Sequence, residues 1–233
     1  MPDLYIVHGW TYRPEPWEEV IEKLKVNHKL DAKLLRVPGL GTPSDKIYTI
    51  DDYATWAAKN IPKGSIALGH SNGGRILLNM LSHEGSDYLK GLILFDAAGI
   101  YKPSRKRDVM RKLSKTFAPL KKSKLARKIV HKALRVHDYN DAPENMKQTL
   151  TNMLDSDKNL KIDQISTPAR LVWGTEDRMT PLRQGKKMDE LLQNSHLTIK
   201  EGWRHSHYLQ STAEMAAEIA KQYEALTKKG KSC

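Results

Sequence analysis

The residues Gly69–Gly73 form the sequence Gly-His-Ser-Asn-Gly, which matches the pattern G-x-S-x-G. They follow the apolar run Ile66–Leu68 and precede a segment with helical spacing of its apolar residues, which predicts a sharp strand-to-helix turn. Such a turn needs very small residues on both sides of the serine, and it exposes the Ser71 hydroxyl for attack on a carbonyl carbon. The backbone N–H of Asn72, at the start of the helix, would face the developing oxyanion. An ordinary glycine-rich turn is the competing interpretation.

A serine hydroxyl is a weak nucleophile, so it needs a base, and the base needs an acid that orients it. Two adjacent carboxylates, Glu176 and Asp177, lie in a loop after one predicted strand. Two histidines, His205 and His207, follow the next strand. The chain order serine, acid, histidine differs from that of chymotrypsin and of subtilisin. The residues alone do not decide which carboxylate is the acid or which histidine is the base.

Short apolar runs predict the strands that must position these groups. Each is about four residues long, as expected for strands covered on both faces, and the runs are Leu4–Val7, Leu34–Val37, Ser65–Leu68, Leu92–Phe95, Arg170–Trp173 and His196–Ile199. Segments with helical periodicity separate them. Alternation of this kind predicts an α/β fold with a mostly parallel sheet of about six strands, flanked by helices.

The alternation is interrupted once, after the strand that ends at Phe95, by a stretch of helical periods without a convincing strand. This stretch predicts an inserted helical cap at residues 100–162, with the core formed by residues 1–99 and 163–233. Fourteen Lys and Arg and a single acid lie between Tyr101 and Val136, so the net charge of +12 belongs to the predicted cap. A solvated helix face is one interpretation, and attraction of an anionic substrate or an anionic membrane surface is another. Nucleic acid is not expected as a partner, because Phe117 is the one aromatic residue in the basic cluster.

Several further motifs resemble those of the α/β-hydrolase fold serine hydrolases, of the esterase and lipase type. The motifs are His8-Gly9-Trp10, the P-G-x-G-x-x-S loop at 38–44, the segment 48–53, the W-G-x-x-D-x-x-x-P stretch that ends at Pro181, and Gly202-x-x-His205. The resemblance implies that Asp177 is the acid and His205 the base, with His207 in a structural or supporting place. It also implies that the Trp10 N–H is the second oxyanion donor.

The sequence also departs from the family pattern. The first antiparallel hairpin of the family sheet is expected to be missing, so that the chain starts at what would be the third strand. The bulky Trp10 suggests a narrow acyl pocket, and Trp10, Tyr12, Met179 and Tyr208 are candidates for substrate contact. A serine nucleophile argues against the dehalogenase and epoxide hydrolase branches. Asp96 comes directly after a predicted strand, where a second candidate for the acid could lie. We expect its side chain instead to form hydrogen bonds in the turn that leads into the helical cap.

Composition excludes several classes of protein. The only cysteine among 233 residues is Cys233, so a disulfide scaffold is excluded. A hydrophobic content of 39% argues against disorder, and no apolar run approaches the roughly 18 residues of a membrane span. Without a signal sequence or paired cysteines, we expect a cytoplasmic protein. No metal or cofactor is expected, because the histidines lack ligand spacing and no dinucleotide or phosphate-binding motif is present.

The sequence therefore predicts a serine hydrolase that cleaves a small-molecule carboxylic ester through an acyl-enzyme. The alternative keeps the fold and changes the bond to C–C, amide or lactone, or makes the protein an acyltransferase. A lesser alternative is a non-catalytic module that binds anionic partners through the basic cap. No oligomeric state is predicted.

Overall fold

The computed structural model describes residues 2–101 and 142–228. Its described strands form one six-stranded sheet in the order β2-β1-β3-β4-β5-β6, and all five neighbouring pairs are parallel. The strands are β1 Leu4–Val7, β2 Ala32–Leu35, β3 Ile66–His70, β4 Gly91–Phe95, β5 Ala169–Gly174 and β6 Ser195–Lys200. The predicted α/β fold with about six mostly parallel strands is confirmed.

Helices connect the strands and cover both faces of the sheet. In chain order they are α1 Pro16–His28, α2 Ile50–Asn60, α3 Asn72–Glu84, α4 Glu144–Ser156, α5 Leu182–Leu191 and α6 Thr212–Lys228. Two short 3₁₀ turns, Ile162–Gln164 and His207–Leu209, precede β5 and α6. None of the described helices is both long enough and apolar enough to cross a bilayer.

The apolar core has two layers because side chains alternate between the faces of each strand. Tyr5 and Val7 of β1 lie in the cluster beneath α2, α3 and α5, whereas Leu4 and Ile6 lie in the cluster beneath α1 and α6. Trp17 anchors the second cluster and is fully buried. The parallel sheet is therefore covered on both faces, and the carboxyl ends of its strands share one edge.

Helix α4 lies in the part of the predicted cap segment that falls within the described residues. It lies over the loop that follows β2: Asn145 Nδ2 donates to the Ser44 carbonyl at 2.8 Å, and the Tyr48 N–H donates to Thr149 Oγ1 at 2.9 Å. Residues 102–141, with the basic cluster and the other predicted cap helices, lie outside the described residues. The domain bounds 1–99, 100–162 and 163–233 therefore stay a prediction.

Candidate active site

Ser71 occupies the turn between β3 and α3 in a backbone conformation that is rare for a residue with a side chain, with φ of 52° and ψ of −117°. Its N–H donates to the Phe95 carbonyl at 3.0 Å, and its own carbonyl accepts from the Ala98 N–H at 2.8 Å. These contacts with the last residue of β4 and with the chain that follows it hold the turn in its strained form.

The two glycines of the motif are required by space. A Cβ at Gly73 would lie 2.0 Å from the Val7 carbonyl oxygen, and a Cβ at Gly69 would lie 2.6 Å from Gly74 Cα. Either contact would force the backbone apart. The close approach of the turn to β1 and to its own helix therefore fixes the residue types that flank the serine.

The loops after β5 and β6 bring a carboxylate and an imidazole to this serine. His205 Nε2 lies 2.8 Å from Ser71 Oγ, and His205 Nδ1 lies 2.8 Å from Asp177 Oδ2. The Asp177 side chain is fully buried, whereas that of His205 is 17% exposed. One continuous hydrogen-bonded chain thus runs from a buried acid to a hydroxyl at the edge of the sheet.

Asp177 is held by more donors than the histidine alone. The N–H groups of Met179 and Thr180 donate to Oδ1 at 2.6 and 2.9 Å, and the Thr180 hydroxyl lies 2.6 Å from Oδ2. Burial alone would raise the pKa of Asp177, but the hydrogen bond and charge of His205, together with the Thr180 donors, lower it below its usual value. Asp177 is therefore a carboxylate at neutral pH.

Glu176 and His207, the competing candidates for the acid and the base, lie in other surroundings. His207 Nε2 contacts Glu214 at 2.8 Å, and its ring stacks on Trp203 with centroids 3.8 Å apart. Glu176 is exposed and pairs with Arg204 at 3.1 Å. The structure thus brings Asp177 and His205 to Ser71, and it places Glu176 and His207 in other contacts.

The loop after β1 passes beside the serine. A Cβ at Gly9 would lie 3.0 Å from Ser71 Cβ, so the segment that carries the Trp10 N–H runs next to the nucleophile. His8 fixes this loop: its Nε2 accepts from the Val37 N–H at 3.0 Å, and its Nδ1 donates to the Gly9 carbonyl at 2.9 Å. Burial lowers the pKa of His8 to about 4, against the opposing effect of the Gly9 contact, so the ring is neutral.

Comparison with known proteins agrees with this geometry. The sequence profile of the alpha/beta hydrolase family matches residues 4–218. The chain belongs to this family.

Individual relatives are distant. The hydrolase is 20% identical over 243 residues to the biotin biosynthesis bifunctional protein BioHC of Cellvibrio japonicus, covering 97% of this chain but only about half, 48%, of that protein. It is 23% identical to the pimeloyl-[acyl-carrier protein] methyl ester esterase of Neisseria meningitidis FAM18, covering 93% of each. Among solved structures, a lipase from Acinetobacter baumannii AYE superposes with a TM-score of 0.69 at 20% identity, over 98% of this chain and 85% of that one.

The four candidates for substrate contact in the hydrolase differ in their surroundings. Trp10 and Tyr12 are half-buried and pack against the core beneath α2 and α3. Met179 is 37% exposed, beside the acid loop. Tyr208 is buried, stacked on Trp17 with centroids 4.7 Å apart. Substrate contact by any of the four stays a prediction.

Sequence reasoning missed two residues, His70 and Thr180, that contact His205 and hold the loop after β6. His70 Nε2 donates to the His205 carbonyl at 2.7 Å, and burial, reinforced by the charge of His205, lowers the pKa of His70 to about 3. The Thr180 hydroxyl lies 3.2 Å from His205 Nδ1 as well as beside Asp177. No sequence signal distinguishes His70 and Thr180, because their contacts with His205 join segments that are far apart in the chain.

Asp96 does not occupy the place expected from the sequence. Its backbone is left-handed, with φ of 44°, and its buried Oδ1 accepts from the Gly174 N–H at 3.0 Å. The side chain therefore binds the end of β5 rather than the turn that follows β4. Burial, followed by the charge of Asp177, raises the pKa of Asp96 well above its usual value.

One group of potential metal ligands occurs among the described residues, formed by His70, Asp96 and His205 with ligand atoms within 4.8 Å of one another. Both ring nitrogens of His205 already contact Ser71 and Asp177, and His70 Nε2 donates to a carbonyl. A metal here would break the hydrogen-bonded chain, so we assign none.

Proposed function

We propose that this hydrolase cleaves a carboxylic ester through an acyl-enzyme, with Ser71 as nucleophile, His205 as base and Asp177 as the orienting acid. The observation that carries the proposal is the continuous chain of contacts from Asp177 through His205 to Ser71, each of 2.8 Å. A neutral imidazole that donates from Nδ1 to a carboxylate has Nε2 free to accept the serine proton. This is the arrangement required to activate a hydroxyl.

The proposed reaction has two halves. The Ser71 oxygen attacks the ester carbonyl carbon while its proton passes to His205 Nε2, and the N–H groups of Trp10 and Asn72 stabilise the resulting oxyanion. The intermediate collapses as His205 returns the proton to the departing alcohol. Water then attacks the acyl-enzyme with His205 again as base, which releases the carboxylic acid and restores Ser71.

The substrate class proposed is a small-molecule ester. Relatives named as methyl ester esterases support testing methyl esters first, although their acyl-carrier substrate is a property of those proteins. The same catalytic groups could cleave C–C, amide or lactone bonds or transfer an acyl group, so a panel covering these bonds decides among them. A role of the basic segment 101–136 with anionic substrates or membranes, and a cytoplasmic location, stay predictions.

Replacement of Ser71 by Ala tests the proposal. We expect loss of covalent labelling by a fluorophosphonate probe and a fall of at least about 10³-fold in kcat for a p-nitrophenyl acyl ester, because the covalent route is removed. The measurement combines labelling detected by mass spectrometry with steady-state kinetics on short-chain and methyl esters.

The two neighbouring histidines supply a matched control. His205→Gln should lose activity as Ser71→Ala does, whereas His207→Gln, in a residue that contacts Glu214 and Trp203, should keep activity within a few-fold of the parent. Unchanged labelling in Ser71→Ala, or equal losses in the two histidine variants, would contradict the assignment.

A further inference from the structure

Arg75 is a buried cation in the second turn of α3, close to the nucleophile. Its exposure is 4%, and its guanidinium grips the carboxylate of Asp157, the residue after α4, in bidentate fashion. Nε donates to Oδ1 at 2.7 Å and Nη2 donates to Oδ2 at 2.9 Å. A planar guanidinium facing a carboxylate in this way is geometrically specific, because both partners are rigid.

The same guanidinium has a second acceptor. Arg75 Nη1 donates to Asn72 Oδ1, and Asn72 Nδ2 lies 3.3 Å from the sulfur of Met153 in α4. Asn72 is 3% exposed, so both polar atoms of its side chain are bound inside the protein. Asn72 is therefore attached to α4 twice, once through Met153 and once through Arg75 and Asp157.

The residue so attached is the one after Ser71. Its backbone N–H is a proposed donor to the oxyanion, and donors of this kind act only when they are fixed in advance where charge develops. A displacement of about 1 Å in such a site can cost about 10²-fold in rate. Binding both ends of the Asn72 amide restricts its side-chain torsions, and with them the backbone that carries the N–H.

We propose that Arg75 and Asp157 are positioning residues that hold the Asn72 backbone N–H in the oxyanion hole by way of the Asn72 side chain. Helix α4, far from the nucleophile turn in the chain, thereby contributes to the geometry of that turn. This inference rests on the proposed function for its catalytic consequence. The attachment of residue 72 to Asp157 is a structural claim that can be measured apart from activity.

A double-mutant cycle between Asn72→Ala and Asp157→Asn tests the attachment. Each single variant should lower kcat about tenfold with KM changed less than twofold, because ground-state binding does not use the oxyanion donor fully. In the Asn72→Ala background, Asp157→Asn should cost little more, since its route to the backbone is already removed. Asn79→Ala, which removes a bond to the Arg75 carbonyl but leaves the three linked side chains in place, is the matched control and should keep kcat.

The variant Asp157→Asn leaves a buried guanidinium without its charge partner and could fail to fold. The paired replacement Arg75→Met with Asp157→Leu removes both charges together, and it should reproduce the kcat loss of Asn72→Ala in a folded protein. Folding is followed by circular dichroism and thermal unfolding.

The backbone amide resonance of residue 72 gives a readout that needs no substrate. Loss of the Asp157 charge should shift that resonance in the parent protein and leave it unchanged in the Asn72→Ala background. Additive kcat losses together with a shift in both backgrounds would overturn the proposal. If the parent shows neither ester hydrolysis nor Ser71 labelling, the proposed function fails, and the resonance shifts alone still decide whether Asp157 positions residue 72.

Discussion

The ends of strands β4 and β5 each carry a buried aspartate, and their pKa values move in opposite directions. Asp96 directly follows β4, and Asp177 lies in the loop after β5. The pKa of Asp96 rises well above its usual value because of burial and the nearby charge of Asp177, whereas the His205 and Thr180 donors lower that of Asp177. Two residues of one type at one edge of the sheet thus differ in how readily the folded protein lets them lose a proton.

The difference follows from the number of donors that each carboxyl group receives. Asp177 accepts hydrogen bonds from two backbone N–H groups, a hydroxyl and an imidazole. Within the described residues, Asp96 accepts one backbone hydrogen bond on its carboxyl group, from Gly174. Donors stabilise the ionised form and burial without donors disfavours it, so position in the fold does not by itself determine the pKa of an aspartate.

The largest effect is expected when Asp177 is made neutral. Asp177→Asn keeps the size of the side chain, but the Met179 and Thr180 N–H groups hold its one oxygen, so an NH2 donor replaces the carboxylate oxygen that faces His205. The imidazole tautomer is then no longer fixed, and kcat should fall by about 10⁴-fold. Steady-state kinetics on an activated ester measure this. The double variant with Asp96→Asn is the control. A much larger loss in the double variant than in Asp177→Asn alone would show that Asp96 takes over as the acid, which would contradict the difference between the two aspartates.

A smaller effect is expected from removal of the Thr180 hydroxyl, which contacts both Asp177 and Asp96. The Thr180 hydroxyl donates to Asp177 Oδ2 at 2.6 Å and also lies 2.8 Å from the Asp96 carbonyl oxygen. Thr180→Val keeps the shape and removes these contacts, so kcat should fall by about tenfold, in line with the loss of one hydrogen bond to a charged group. Thr180→Ser retains the hydroxyl and should stay within a few-fold of the parent; equal losses in both variants would assign the effect to packing.

The features that could be predicted from the sequence are those that local chain geometry determines. The strands were predictable from their short apolar runs, and Ser71 from the small residues that its turn requires. Asp177 and His205 were placed by resemblance of their loops to a family pattern. The contact of Asp96 with Gly174, the bond from His70 to the His205 carbonyl and the attachment of Asn72 to Asp157 join residues far apart in the chain. Local patterns carry no information about these contacts, because they arise from the order of the strands in the sheet and from the packing of α4 near α3.

The smallest effect is expected from Asp96→Asn, and it appears in stability rather than activity. A carboxyl whose pKa is raised by folding keeps its proton when the unfolded chain has lost it, so it lowers the free energy of unfolding as pH rises from about 4 towards the folded pKa. The neutral amide retains an oxygen for the Gly174 N–H and does not titrate, so the variant should gain stability over the parent by up to about 1.4 kcal/mol per pH unit within that window. Urea unfolding of both proteins from pH 4 to 8 measures the difference. A constant difference across the window would mean that Asp96 is ionised in the folded protein, and the contrast between the two strand ends would then be wrong.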